Sequence, residues 1–357
     1  MEKNIVILGL APQGLALLRA YSIANYNVTA IGCKEDVGIY SKYGDIYVID
    51  SLDSIINIIL NKLYGNELIH ITSDVILNYL IDHYPELFEK YNFFPKLKDA
   101  IVFRDKLNTA KFAQILNVPC PETFRFDDLA YCSKFKFPLI GKWNKTVGKT
   151  IFKTVIIDSY EVLEKTKDLP GFSNLIFQQY IFGECESDIS YGGYWINGVE
   201  QVGIVVQQSR QYAGLASKVE EISNEPANVV RRYANKLLKA MDYSGFVEVE
   251  CRVDDKTGVV YLIEVNPRAC GWIKVLMKNF SHKVLCTNTD SIKVNERRKW
   301  INIVRDVRAL LYGLKRSPHQ FNVSDIFIDY TGHGVKDIFE ITDIKPFFMQ
   351  LKKIMNR

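Results

Sequence analysis

The first hundred residues constrain the fold most, because apolar runs of strand length alternate there with segments of helical period. Asn4 to Gly9 reads N-I-V-I-L-G, a continuously apolar run of the kind a parallel strand shows when both its faces are buried. Gly14 to Ala24 has helical periodicity, and Val28 to Gly32 reads as a second strand. Asp45 to Ile49, a helix-like Leu52 to Tyr64, Glu67 to Thr72 and a helix capped by Ser73 continue the alternation. Strand and helix in regular turn imply right-handed crossovers, so this part is expected to be α/β, an open Rossmann-like parallel sheet. The pattern also decides Ile5 to Leu18, the one stretch that resembles a targeting signal. Pro12-Gln13-Gly14 interrupts it and no cleavage pattern follows clearly, so it reads as strand, turn and helix start.

After Arg104-Asp105-Lys106, a helix is expected over Leu107 to Asn117. Val118-Pro119-Cys120-Pro121 stops it, since neither proline can continue a helix. Beyond Phe137 the character changes to longer strands and hairpins. Phe137 to Trp143, Ile151 to Ile157, Leu175 to Ile181 and Ser187 to Ile196 read as extended, and Asn197-Gly198 is a hairpin signal. This section is expected to be α+β and mostly antiparallel. Trp300 to Leu314 and Lys345 to Ile354 read as helices. A chain of 357 residues is too long for one ordinary core and suits two or three domains. Without Gly/Ser linkers or repeats between them, those domains are expected to pack closely.

Gly245 to Trp272 carries the most chemistry. Two strands flank an Asp254-Asp255-Lys256-Thr257-Gly258 turn, and alternation puts Glu248 and Glu250 on one face, as it does Glu264 and Asn266. A hairpin centred on Thr257 sets Glu250 directly opposite Glu264, where like charges repel by up to ~1 kcal/mol. A divalent cation would compensate, since Mg²⁺ takes one or two carboxylates and completes its shell with water and substrate phosphates. A solvated acidic face, or pairing with nearby Lys and Arg, would also serve.

Other stretches could hold a nucleotide. Lys142 ends an apolar strand, and Asn144 to Lys149 follows as a short Gly-containing loop whose backbone N–H groups and lysines could cradle phosphates. Gln178 to Gly183 ends another strand, with Glu184 and Glu186 just beyond, so a base could bond the backbone edge while an acid holds ribose. Gly9-Leu10-Ala11-Pro12-Gln13-Gly14 resembles a dinucleotide fingerprint, followed after the second strand by Glu35 and Asp36. Ala11, however, stands where the second glycine should let pyrophosphate approach, so a tight packing turn is the expected role.

Several function classes are excluded or disfavoured. The 45 basic and 41 acidic residues leave a net charge of +4, no electrostatic footprint for nucleic acid. No run approaches the roughly 20 apolar residues of a membrane helix. Seven scattered cysteines without a C-x-x-C pair favour reduced thiols in a cytoplasm over disulfides or zinc. There is no G-x-S-x-G elbow, and the five histidines lack ligand spacing.

Taken in order, these pieces resemble the ATP-grasp superfamily from Asn4 to about Phe280. Residues 1–100 look like the pre-ATP-grasp domain, with its G-x-x-x-x-G-L-A-L-L-R-A turn and helix. The resemblance implies a small lid subdomain with a linker helix over 101–185, opened by Arg104-Asp105-Lys106 and N-V-P-C-P-E-T. It implies a central catalytic subdomain over 186–290 and leaves 291–357 as a helical extension. It also implies that Lys106 and Lys142 contact ATP phosphates, that the loop with Thr146, Gly148 and Lys149 closes over them, and that Gln178, Gln179, Tyr180 and Ile181 form the adenine hinge. Glu186 would hold the ribose, with Glu184 as competitor. E-x(13)-E-x-N-P-R gives metal ligands at Glu250, Glu264 and Asn266, for Mg²⁺ or Mn²⁺, and Arg268 would stabilise the transferring phosphate.

Within the superfamily the chain is most similar to carboxylate–amine ligases of the D-aspartate ligase type, through Q-Q-Y-I-F-G, the W-I-N-G hairpin and Q-Q-S-R-Q-Y-A-G-L-A-S-K. Arg210 in the last is the candidate anchor for a substrate carboxylate or acylphosphate. Gln179, where many relatives carry Glu, and a single glycine in the phosphate loop depart from the pattern. The function implied is amide formation from a small-molecule carboxylate and an amine through an acylphosphate, in a setting such as cell-surface polysaccharide or peptidoglycan precursor modification. The alternatives are a non-catalytic ATP-binding protein of the same fold, an NAD-dependent oxidoreductase using the first domain and, further back, a carboxylase. A homodimer is the default assembly.

Overall fold

The computed structural model describes residues 4–125, 136–145, 154–277, 298–316, 329–330 and 334–356. The N-terminal alternation folds as β1 (Asn4–Leu8), α1 (Pro12–Ile23), β2 (Asn27–Cys33), β3 (Asp45–Ile49), α2 (Asp53–Lys62), β4 (Leu68–Ile71), α3 (Asp74–His83), α4 (Leu87–Lys90) and β5 (Asn92–Phe94). The five strands pair in parallel in the order β3-β2-β1-β4-β5, with the apolar β1 at the centre. Gly9, with φ +99°, turns the chain out of β1. A Cβ on Gly14 would stand 2.0 Å from the Gly9 carbonyl oxygen, so only glycine lets α1 start this close to the strand end. Ser73 caps α3 as read, its Oγ accepting from the Ile76 N–H.

Helices α5 (Leu97–Phe103) and α6 (Lys106–Ile115) lead into a four-stranded antiparallel sheet. It holds β6 (Thr123–Phe124), β7 (Leu139–Trp143), β8 (Thr154–Ile157) and, after α7 (Tyr160–Thr166), β9 (Leu175–Gln179), ordered β6-β9-β7-β8. A seven-stranded sheet follows. Its members are β10 (Asp188–Ile196), β11 (Val199–Tyr212), β12 (Leu215–Glu221), β13 (Gly245–Val253), β14 (Val260–Asn266), β15 (Lys299–Ile301) and β16 (Val335–Lys336), in the order β14-β13-β10-β11-β12-β15-β16. Helix α8 (Glu225–Met241) joins β12 to β13, and α9 (Lys274–Met277) follows β14. The Asn197-Gly198 turn has both residues at positive φ, +48° and +68°, which fits the twist of a two-residue hairpin.

The C-terminal part departs from expectation. Trp300, read as helical, lies in β15, and helix α10 (Ile303–Arg316) starts only after Asn302, whose Oδ1 accepts from the Arg305 N–H at 2.9 Å. An N-cap asparagine separates strand from helix within one apolar run. Residues expected as a helical extension thus also supply β15 and β16 to the large sheet, before α11 (Lys345–Met355) ends the described chain.

The parts share cores. Leu17, Leu18 and Tyr21 of α1 pack in one buried cluster with Tyr194, Val206, Val219, Phe246, Trp272 and Trp300 of the large sheet and its flank. Buried Arg19 donates to the Asp343 carboxylate at 2.9 Å and to the carbonyls of Ile338 and Asp343 at 2.8 and 2.7 Å, tying the C-terminal segment to α1.

Candidate active site

One face of the seven-stranded sheet floors a cleft of about 1160 Å³. Registered pairs share a face, and the pairs Glu248↔Asn266, Glu250↔Glu264, Ser190↔Glu250, Ser190↔Val206, Gln208↔Val219 and Val219↔Trp300 run across six strands. All of these residues line the cleft. Its other walls come from Ile140, Lys142 and Gln178 of the four-stranded sheet, and from Gly9, Ala11, Gln13, Ser73 and Asp74 at the strand ends of the parallel sheet. The last group sits where β1 and β4 diverge, the switch point at which doubly wound sheets open a crevice.

The acidic hairpin has the register read from its sequence, Glu250 facing Glu264. A bulge at Ile263 then shifts the pairing to Cys251↔Leu262. The Asn266 amide Nδ2 donates to Glu250 at 2.7 Å and to Glu264 and Glu248 at 3.3 Å each. Lys106 Nζ lies 3.1 Å from Glu264. Burial works against the charge on Lys106, but Glu264, Asp74 and Glu250 outweigh it and hold its pKa above the ordinary lysine value. Of the compensations considered for the opposed carboxylates, pairing with a lysine is the one present, at Glu264. Two carboxylates and an amide that can present Oδ1 form a donor set Mg²⁺ takes, with room for substrate oxygens. Among the described residues no group of three or more His, Cys, Asp or Glu side chains is arranged to hold a metal ion.

Local structure explains how Lys106 and Lys142 reach one cleft. Asp105 caps α6, accepting from the Asn108 N–H at 2.9 Å, and its other oxygen accepts from Asn144 Nδ2 at 2.8 Å. Asn144 Oδ1 in turn accepts from the Leu107 N–H at 3.1 Å, so the residue just past β7 is bolted to the start of α6. Thr146, Gly148 and Lys149 lie outside the described residues. Gln178, Gln179, Tyr180 and Ile181 all line the cleft. The Tyr180 N–H donates to Pro138 O at 3.2 Å and Ile181 O accepts from Arg252 Nε at 3.0 Å. Among the described residues the Tyr180 carbonyl and Ile181 N–H make no hydrogen bond. An acceptor and a donor side by side match an adenine edge.

Three expected residues do not line the cleft. Glu184 and Glu186 are both exposed. The acid of this segment in the cleft wall is Asp188, which accepts from Arg252 Nη1 at 2.5 Å. Arg210 is committed elsewhere. Its Nε and Nη2 donate to the two Asp306 oxygens at 2.7 and 2.8 Å, and Nη2 also reaches Asp329 at 3.1 Å. Strand alternation would group Arg210 with Gln208, but register irregularities on both sides of it break the alternation, and Gln208 and Gln211 face the cleft instead.

Arg268 does line the cleft. Its Nε donates to Asp74 at 2.8 Å and its Nη1 to the Ala269 carbonyl at 3.1 Å, leaving Nη2 without a hydrogen bond among the described residues. Asp74 is thus a site residue that sequence reading missed. Its only signal was its place in the first turn of a helix opening on the switch point. Glu248 is a second. It is buried, accepts from Trp272 Nε1 at 2.8 Å, and burial pushes its pKa up, partly offset by Arg268 and that hydrogen bond.

The dinucleotide alternative finds no support. Asp36, the acid that would reach a ribose, spends one oxygen on the N–H groups of Leu10 at 2.9 Å and Cys33 at 3.1 Å. That oxygen clasps the turn, in keeping with the packing role expected of it.

No model of a protein family matches the chain, and no curated protein matches its sequence. Solved structures do match in fold. An N5-carboxyaminoimidazole synthetase from Staphylococcus aureus superposes with a TM-score of 0.68 at 15% identity, over 88% of this chain and 86% of that one. A biotin carboxylase from Campylobacter jejuni, solved as a β-γ-ATP complex, gives 0.62 at 17% identity over 82% and 74%. An N5-carboxyaminoimidazole synthase from Aspergillus clavatus, solved with ADP and 5-aminoimidazole ribonucleotide, gives 0.58 at 13% over 75% and 70%. No described helix is long and apolar enough to cross a membrane.

Proposed function

We propose that this chain, which has the ATP-grasp fold, is an ATP-dependent carboxylate–amine ligase that forms an amide through an acylphosphate. One observation carries the reading: Glu250, Glu264, Asn266, Lys106 and Arg268 converge on one wall of a cleft that also contains the Gln178 to Ile181 strand end. Two of the structures of similar fold were solved with ADP or an ATP complex. Tyr180 and Ile181 would hold the adenine, and Lys106, Lys142 and the loop with Thr146, Gly148 and Lys149 the phosphates; the ribose acid would be Asp188, which lines the cleft as Glu186 and Glu184 do not. Glu250, Glu264 and Asn266 would hold Mg²⁺ or Mn²⁺, which when bound neutralises charge on the phosphates.

The substrate carboxylate attacks the γ-phosphorus, ADP leaves, and Arg268 stabilises the charge on the transferring group. An amine then attacks the acyl carbon, and phosphate leaves as the nitrogen loses a proton. No protein nucleophile is needed. Modification of a cell-surface polysaccharide or peptidoglycan precursor is the setting we favour.

The test is ADP release from Mg-ATP across a panel of amino and hydroxy acids, with and without hydroxylamine. Acid-dependent release with hydroxamate formation, abolished in Glu264→Ala, is the expected outcome. Tight ATP binding with no release under any acid would favour a non-catalytic binding protein. The similar structure named a biotin carboxylase supports a second reading, in which bicarbonate is the acid. Release that requires bicarbonate and yields no hydroxamate with organic acids would establish it.

A further inference from the structure

Arg210 and Arg305 approach the same end of the large sheet and differ in what neutralises them. Arg210 is bound to two buried aspartates. Arg305, one turn into α10, lines the cleft and donates Nη1 to the Ala216 carbonyl at 2.5 Å, yet no carboxylate lies within ion-pair distance of it among the described residues. Burial lowers its pKa, with Asp337 opposing at longer range. A desolvated guanidinium facing a cleft without a counter-ion is costly unless an anion arrives.

A second, independent observation points to a ligand in the same cleft. Trp300, only 3% exposed, lines the cleft, and its buried Nε1–H has no hydrogen-bond partner among the described residues. Gln208 Oε1, in the adjoining wall, is likewise buried and unpartnered among the described residues. Buried polar groups are ordinarily satisfied, so two such groups in the cleft that Arg305 lines call for a partner.

We propose that Arg305 and Trp300 form an anion subsite that holds a carboxylate or phosphate of one substrate, away from its reacting group. That the ligand is a substrate rests on the ligase reading; that the subsite takes an anion does not. Ala216, on β12, lies three strand steps across from the carboxylates of β13 and five residues along from Glu221, which is in register with Glu250, on the order of 20 Å in all at ~4.8 Å per step and ~3.3 Å per residue. Even with the reach of an arginine side chain, the substrate must carry its two functional ends several bonds apart. Gln208 Oε1 would accept an N–H from the same ligand.

The indole ¹H–¹⁵N signals of the full chain test this, Trp300→Phe identifying the relevant one of four tryptophans. Inorganic phosphate and, separately, glutarate are titrated with and without saturating Mg-ADP. Expected is a saturable shift of the Trp300 signal alone, with apparent affinity weakened at least tenfold in Arg305→Gln and less in Arg305→Lys. A response to phosphate only assigns a phosphorylated substrate, and to glutarate only a second carboxylate. A Trp300 signal that ignores both anions in the wild-type chain, or responds equally in Arg305→Gln, overturns the subsite. Failure of Mg-ADP to bind would sink the ligase reading instead, and the nucleotide-free titration would still report on the anion.

Discussion

At the β13–β14 hairpin, Glu248, Glu250, Glu264 and Asp74 face Lys106 and Arg268, whereas at the β11–β12 end Arg210, Lys218 and Lys299 face Asp306, Asp329 and Glu220. Among the described residues the first set has four carboxylates to two cations, the second three of each. A balanced cluster needs nothing from outside and fixes the chain. The acidic set lines a cleft wall, where on the proposed reading a bound cation would balance it. The same sheet thus carries one group of charges that builds structure and one open to a ligand.

The largest effect expected is in the balanced cluster. The Asp306 side chain is fully buried and accepts from Arg210, Ser217 and Tyr330. Asp306→Ala leaves Arg210 without its bidentate partner and should cost about 3–5 kcal/mol of stability, measured by urea unfolding. At the hairpin the same kind of change should spare stability. Glu264→Gln removes a repulsion but also the ion pair with Lys106, so its melting temperature should change little while ATP turnover drops about 10²–10³-fold. If Glu264→Gln unfolds the protein and Asp306→Ala does not, the contrast between the clusters is wrong. Asp74→Asn should lower kcat about tenfold with little change in the KM for ATP, because it loosens Arg268 without touching nucleotide, and Asp74→Glu should recover part of the loss.

A separate effect concerns pH. Burial pushes the Asp99 carboxyl up to about 7, with Lys98 partly opposing. Between the ordinary carboxylate pKa and that value the folded state keeps a proton that the unfolded chain has released. Stability should therefore fall as pH rises through this window and level off above it. Asp99→Asn should flatten the decline in thermal melts.

How far the sequence could be read follows from the range of each signal. Local alternation was enough for the parallel sheet and for Glu250 opposite Glu264, since pleat and turn fix both. The tight turn at Gly9 to Gly14 was also legible, because one missing glycine argued against pyrophosphate. Arg210 was misplaced because a parity rule fails across two register irregularities. Asp74 could not be paired with Arg268, 194 residues away, by any local rule. Trp300 was drawn into a helix because one apolar run covers both β15 and the start of α10. Asn302 was the available stop signal.

The order in which the chain is made gives the pairing of β15 a further consequence. Strand β12 meets β15 through Lys218↔Ile301, Val219↔Trp300 and Glu220↔Lys299, partners some eighty residues later in the chain. On a ribosome the acidic hairpin is finished while β12 is still an open edge, and Val219 has no neighbour on that side. Such an edge invites pairing with other nascent chains, so synthesis through the 278–297 segment is the interval in which a chaperone would matter most.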